Sequence, residues 1–121
     1  MLVASGGALG SVLRYLLTYI SKSLFLSNIY GTFSVNILGS FLIGYFMTSG
    51  AVDKFSENFI KFFLIIGLLG SFTTFSAFSY EVLDLINSKK YVTSFIYIFF
   101  SIFVCILFAY LGTLLNKFWI D

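Results

Sequence analysis

Apolar runs separated by charged residues divide the chain into four stretches. The first covers about residues 1–21 and is interrupted only by Arg14. The second, 31–50, is twenty uncharged residues, close to the ~20 that a helix needs to cross ~30 Å of hydrocarbon. The third covers 59–83, with Glu81 and Asp84 marking its end, and the fourth covers 91–116. Lys22, Ser27 and Asn28 make the first connection. Asp53-Lys54-Phe55-Ser56-Glu57-Asn58 reads as a solvated loop, with Asp53 or Ser56 able to cap the next helix. Asn87-Ser88-Lys89-Lys90 is the last loop, and Lys117, Trp119 and Asp121 form an interfacial tail. The pattern predicts an all-α integral membrane protein, with one domain of four transmembrane helices over residues 1–121.

One stretch of the third span departs from this plain pattern. Gly67 and Gly70 weaken a helix, Thr73 and Thr74 are adjacent β-branched residues, and Ser71, Ser76 and Ser79 add hydroxyls that hydrocarbon cannot satisfy. Two arrangements fit these residues. In one, small residues let neighbouring helices approach closely. In the other, the helix breaks, which at membrane depth is tolerated only where the backbone is buried in protein or lines a polar cavity. A break would free carbonyl oxygens able to hold a small cation, and would set Phe75 and Phe78 on one side of the resuming helix. The sequence contains no proline, so a break would arise from Gly, Ser and Thr.

Composition narrows the class. Of 121 residues 60% are hydrophobic and 10% charged, against about 25% charged in soluble domains. The lone Cys105 and the absence of His leave no Cys/His metal site within one chain. A net charge of +2 gives no reason to expect a nucleic-acid partner, and no nucleotide-binding loop is present. The start Met1-Leu2-Val3 has no basic region, so no cleaved leader is expected.

The polar residues inside the spans carry the candidate chemistry. Arg14 either faces a vestibule, where it would attract anions, or snorkels to the nearer interface. Gly6 and Gly10 form a close-contact pair on the same span. Asn36 falls near mid-membrane, where its NH₂ could donate to an anion that has shed water, or could join two helices. Tyr97 and Ser101 lie four apart on one helical face. With Thr73, Thr74, Ser76 and Ser79, these donors outnumber acceptors, and no Asp, Glu or His is expected deep in any span. Phenyl rings present positive edges to an in-plane anion. The inventory suits a small anion with high hydrogen-bond demand better than a cation or a large lipophilic substrate, and with no nucleophile–base pair in the sequence an enzyme is not expected.

Three motifs carry a family resemblance: Gly-Gly-x-x-Gly-x-x-x-Arg-Tyr from Gly6 to Tyr15, Gly-Thr-x-x-Val-Asn-x-x-Gly-Ser-Phe from Gly31 to Phe41, and Gly-x-x-Thr-Thr-Phe-Ser-x-Phe-Ser from Gly70 to Ser79. In this order the chain resembles the bacterial fluoride channel family, Fluc or CrcB, over essentially its whole length. The resemblance implies a multi-pass protein of the bacterial plasma (inner) membrane that exports fluoride passively. It implies an antiparallel, dual-topology homodimer with two pores and a third helix broken near its middle. A central structural Na⁺, not transported, would be held by the carbonyls of Gly70 and Thr73. Phe75 and Phe78 take the places of the pore phenylalanines and Asn36 that of the pore asparagine. Thr74, Ser76 and Ser79 are further pore candidates, and Tyr97 and Ser101 match fourth-helix polar positions on spacing alone. Ser71-Phe72 departs from the small residues common after the glycine, which is expected to alter packing more than the ion site.

The lysine tally agrees with either orientation. Four spans place Lys54, Lys61 and Lys117 on one side and Lys22, Lys89 and Lys90 on the other, leaving the positive-inside rule almost no bias. A proton-coupled small multidrug transporter is the leading competitor, but needs a membrane-embedded carboxylate where span one has Arg14. An accessory subunit without transport would not need so many polar groups within its spans.

Overall fold

The structure, a computed structural model, describes residues 1–49 and 54–120, with the side chains of Lys54 and Ile120 excepted. The expected end of span two at Gly50, the capping role of Asp53 and the tail residue Asp121 lie outside the described residues. Five helical elements follow in order: α1 (Leu2–Phe25), α2 (Ile29–Met47), α3 (54–72), α4 (Phe75–Asn87) and α5 (Tyr91–Ile120). The described residues contain no strand. Ile29–Met47, Phe55–Asn87 and Tyr91–Trp119 are each long and apolar enough to cross a membrane. Helix α1, with 24 residues, is longer than α2 but carries Arg14 and Lys22. At 30 residues, α5 extends about 45 Å, well beyond ~30 Å of hydrocarbon.

Several boundaries differ from the sequence expectation. Residues 54–58, expected as loop, form the first turn of α3, so Ser56 sits inside a helix and does not cap one. Helix α4 continues past Glu81 and Asp84 to Asn87. Charged residues did not end it because one face of the helix remains packed: Phe78, Glu81 and Leu85 are all buried. At its far end Lys89 takes a left-handed conformation (φ 58°), and the N–H of Lys90 bonds the carbonyl of Leu85. The tail residues Lys117 and Trp119 remain helical within α5.

Helix α3 is composite. After Lys54–Asn58 the backbone widens to a π-helix over Phe59–Leu69, then tightens to α over Gly70–Phe72. The widened turn matches the glycine pair of α1. A Cβ on Gly6 would collide with the carbonyl oxygen of Phe63, and one on Gly10 with that of Leu68. Glycines four apart on an α-helix thus face carbonyls five apart on a π-helix, whose bonds run i→i+5. Gly67 returns the contact, since its Cβ would lie 2.9 Å from the oxygen of Val3. Helices α2 and α5 pack equally closely, Gly44 against the Ala109 carbonyl and Gly112 against that of Phe41. Gly39 of α2 leaves space for the methyl of Thr73.

Candidate functional site

Thr73 (φ −80°, ψ 151°) and Thr74 (φ −147°, ψ 119°) are extended between the end of α3 and the start of α4. Gly70 to Phe72 before them are helical, so only these two residues leave the helix. Their polar backbone groups find partners in side chains. The Nδ2 of Asn36 donates to the Thr74 carbonyl at 3.0 Å, and its Oδ1 accepts from the Thr74 N–H at 2.8 Å. One carboxamide thereby supplies both bonds that a neighbouring strand would give, which also fixes its orientation. The N–H and the Oγ1 of Thr73 both donate to the Leu69 carbonyl at 3.0 Å. Thr74 Oγ1 caps α4 by accepting from the Ala77 N–H at 3.2 Å, and lies 3.2 Å from Ser76 Oγ.

Arg14 is partly buried and reaches from α1 to the third span. Its Nε donates to the Ser71 carbonyl at 3.0 Å, so the guanidinium sits at the C-terminal end of α3. A cation there complements the helix dipole as well as pairing a carbonyl that has no helical partner.

Asn36, Thr73, Thr74, Phe75, Phe78 and Ser101 share one cavity of about 350 Å³ between α2, the extended pair and α5, with Cys105 also on its wall. Phe75 projects with 77% of its surface exposed, whereas Phe78 is 7% exposed in the core beside Leu85 and Tyr97. The two phenyl rings lie 5.4 Å apart, and Phe78 lies 5.1 Å from Tyr97. Ser101 Oγ is buried and has no hydrogen-bond partner. Ser76 and Ser79 do not line this cavity; Ser76 is exposed, and Ser79 donates back to the Phe75 carbonyl at 2.9 Å. Gly70 is exposed on the surface of α3.

Glu81, expected to mark the end of span three, lies instead within α4 and is buried in the protein. Glu81 is 8% exposed and receives two hydroxyl donors, Thr32 Oγ1 at 2.6 Å and Tyr97 OH at 2.7 Å. Both lengths fall in the ordinary range of O–H···O hydrogen bonds. The one O–H of Tyr97 is thus donated to Glu81. The signal was present in the sequence, because Phe78, Glu81 and Leu85 follow helical spacing on one face. On its other side Glu81 borders a polar pocket of about 210 Å³ with Lys22, Asn28, Tyr80 and Asp84.

Three helices long and apolar enough to cross a membrane, with no strand among the described residues, define a helical, multi-pass membrane protein. Residues 1–113 match the profile of the family described as CrcB-like protein, Camphor Resistance (CrcB). The chain belongs to the CrcB family. Similar proteins include a fluoride-specific ion channel FluC from Flavobacterium psychrophilum, 42% identical over 116 residues, covering 95% of this chain and 94% of that one. Another from Shewanella sediminis is 43% identical over 113 residues, with 93% and 90% covered. One from Dehalococcoides mccartyi is 40% identical over 122 residues, with 97% and 94% covered. These relatives are ion channels by name, not enzymes.

Proposed function

We propose that this protein is a fluoride-selective channel of the bacterial plasma membrane that lets fluoride leave the cytoplasm passively. One observation carries the reading: Asn36, Phe75, Phe78 and Ser101 surround one cavity whose described walls bear no charged side chain. Aromatic edges and neutral donors can replace part of an anion's hydration without the deep trap a lysine would make. The fluoride channels among its relatives agree with this chemistry.

The working unit is an antiparallel homodimer with two pores, inserted in both orientations, as the even lysine tally allows. A central Na⁺ joins the two copies. The carbonyls of Gly70 and Thr73 fit a role as its ligands, because none of the hydrogen bonds at the extended pair is made to either oxygen. The bound ion would supply positive charge to backbone oxygens that hydrocarbon cannot solvate. Asn36 keeps one N–H of its NH₂ for fluoride after serving Thr74.

Buried Glu81 favours a second reading, proton-coupled transport. Reconstitution into liposomes separates the two. The channel reading expects fluoride efflux with no pH gradient, little chloride efflux, dependence on Na⁺, and loss of flux in Phe75→Ile or Phe78→Ile. Flux that needs a proton gradient, or equal chloride flux, overturns it.

A further inference from the structure

We infer that a phospholipid with a primary ammonium headgroup, phosphatidylethanolamine, seats in the groove between the end of α2 and the start of α3, its phosphate on Lys61 and its ammonium on Glu57. The groove lies apart from the cavity of the channel reading, whose success or failure leaves this site untouched. It holds about 380 Å³. Glu57 and Lys61 share it with Phe46, Met47, Ile60 and Ile65, so two opposite charges and an apolar wall meet in one space.

Lys61 lies inside the apolar helix Phe55–Asn87. A charge within a span is costly and calls for a partner. Its Nζ sits 5.5 Å from the centroid of the Phe62 ring, which steadies the ammonium while leaving its N–H donors for an anion. Glu57 is the obvious anion, because residues four apart face each other on an α-helix. The winding changes from α to π at Phe59, between the two, and neither forms an ion pair among the described residues. One groove thus presents an unpaired cation and an unpaired anion about a turn apart.

The order of these charges matches the order of groups in the lipid. Helix α2 ends and α3 begins here, so Glu57 precedes Lys61 on the way into the membrane. In phosphatidylethanolamine the ammonium is outermost, the phosphate next and the acyl chains deepest. A choline headgroup has no N–H to give Glu57, and a glycerol headgroup brings no cation, so its net negative charge faces the carboxylate. Charge complementarity therefore selects ethanolamine, and the Phe, Met and Ile wall receives the upper part of an acyl chain. Both charged side chains are exposed, so the preference is modest.

The test reconstitutes the full-length protein in bilayers of equal phosphatidylethanolamine, phosphatidylcholine and phosphatidylglycerol with matched chains. Protein released in mild detergent is then weighed with its bound lipids by native mass spectrometry. The wild type should retain phosphatidylethanolamine about fivefold over either competitor, the scale of one exposed ion pair. Glu57→Gln should bring ethanolamine and choline lipids level. Lys61→Gln should lower retention of both about fivefold, and Lys61→Arg should restore it. Thermal melting should be unchanged in all three variants. Equal retention of the three lipids by the wild type, or an ethanolamine preference that survives Glu57→Gln, overturns the site. Protein that retains no lipid, as when a second copy of the chain covers the groove, overturns it as well.

Discussion

The two halves of the third span are held in different ways. Upstream, α3 lies against α1 through backbone, with Gly6, Gly10 and Gly67 bringing main chains into direct contact. Downstream, α4 is fixed by side chains, Glu81 to Thr32 and Tyr97, and Phe78 among Leu85 and Tyr97. Between them, one residue of α2 pairs both polar backbone groups of Thr74. Steric contact of this kind has no slack, whereas hydrogen-bonded contact can be weakened one group at a time. The upstream half reads as a rigid mount and the downstream half as the adjustable wall of the cavity.

The harshest way to break that contrast is to add bulk to the mount. Gly10→Val should cost 3 kcal/mol or more, roughly the upper range for overpacking, because the obstructing atom is the Leu68 backbone oxygen. Detergent-resistant folded protein, followed by size-exclusion and thermal melting, should be largely lost. Next comes the junction. Asn36→Ala strips both partners from Thr74, and at ~1–3 kcal/mol per unsatisfied buried group it should lower stability and abolish fluoride efflux. Normal efflux from folded Asn36→Ala protein would mean that the extended pair is held by something else.

On the adjustable wall the losses should be smaller. Glu81→Gln keeps the shape but offers only one accepting atom to two hydroxyl donors, so about 1–2 kcal/mol is expected, with slower efflux from an intact fold. Glu81→Ala should cost more than Glu81→Gln, and equal melting temperatures for the two would sink this account of the cluster. The smallest expected effect is at the cap. Thr74→Ala removes the acceptor for Ala77 and should cost about 1 kcal/mol, whereas Thr74→Ser should restore it.

The contrast also explains what could be seen in advance. Helix positions were legible from uncharged runs, and the unusual composition of residues 67–79 marked the neighbourhood of the extended pair. Asn36, Phe75, Phe78 and Ser101 emerged as candidates because polar or aromatic groups inside a span need a reason. The π-helical turn was not legible, since Phe59–Leu69 is an apolar run that would suit an α-helix equally well. Its winding depends on what Gly6 and Gly10 of another helix permit. Glu81 was misplaced because a charge near the end of a run looks like a boundary. Its burial depends on Thr32 and Tyr97, 49 and 16 residues away. The final partners of Arg14 and Asn36 are backbone atoms, on which sequence pattern is silent.

The Asn36–Thr74 pairing also bears on how the chain assembles in the membrane. Its two partners are 38 residues apart, so no local signal alone can hold Thr73 and Thr74 extended. Synthesis delivers α2 to the bilayer before the residues of the third span emerge. The nascent third span can then enter as a single apolar rod with its backbone bonds made internally, and yield at the threonines only after docking against Asn36 and the gap at Gly39. The interruption is in that case a late product of helix association, and a chain without its second helix should insert its third as an unbroken one.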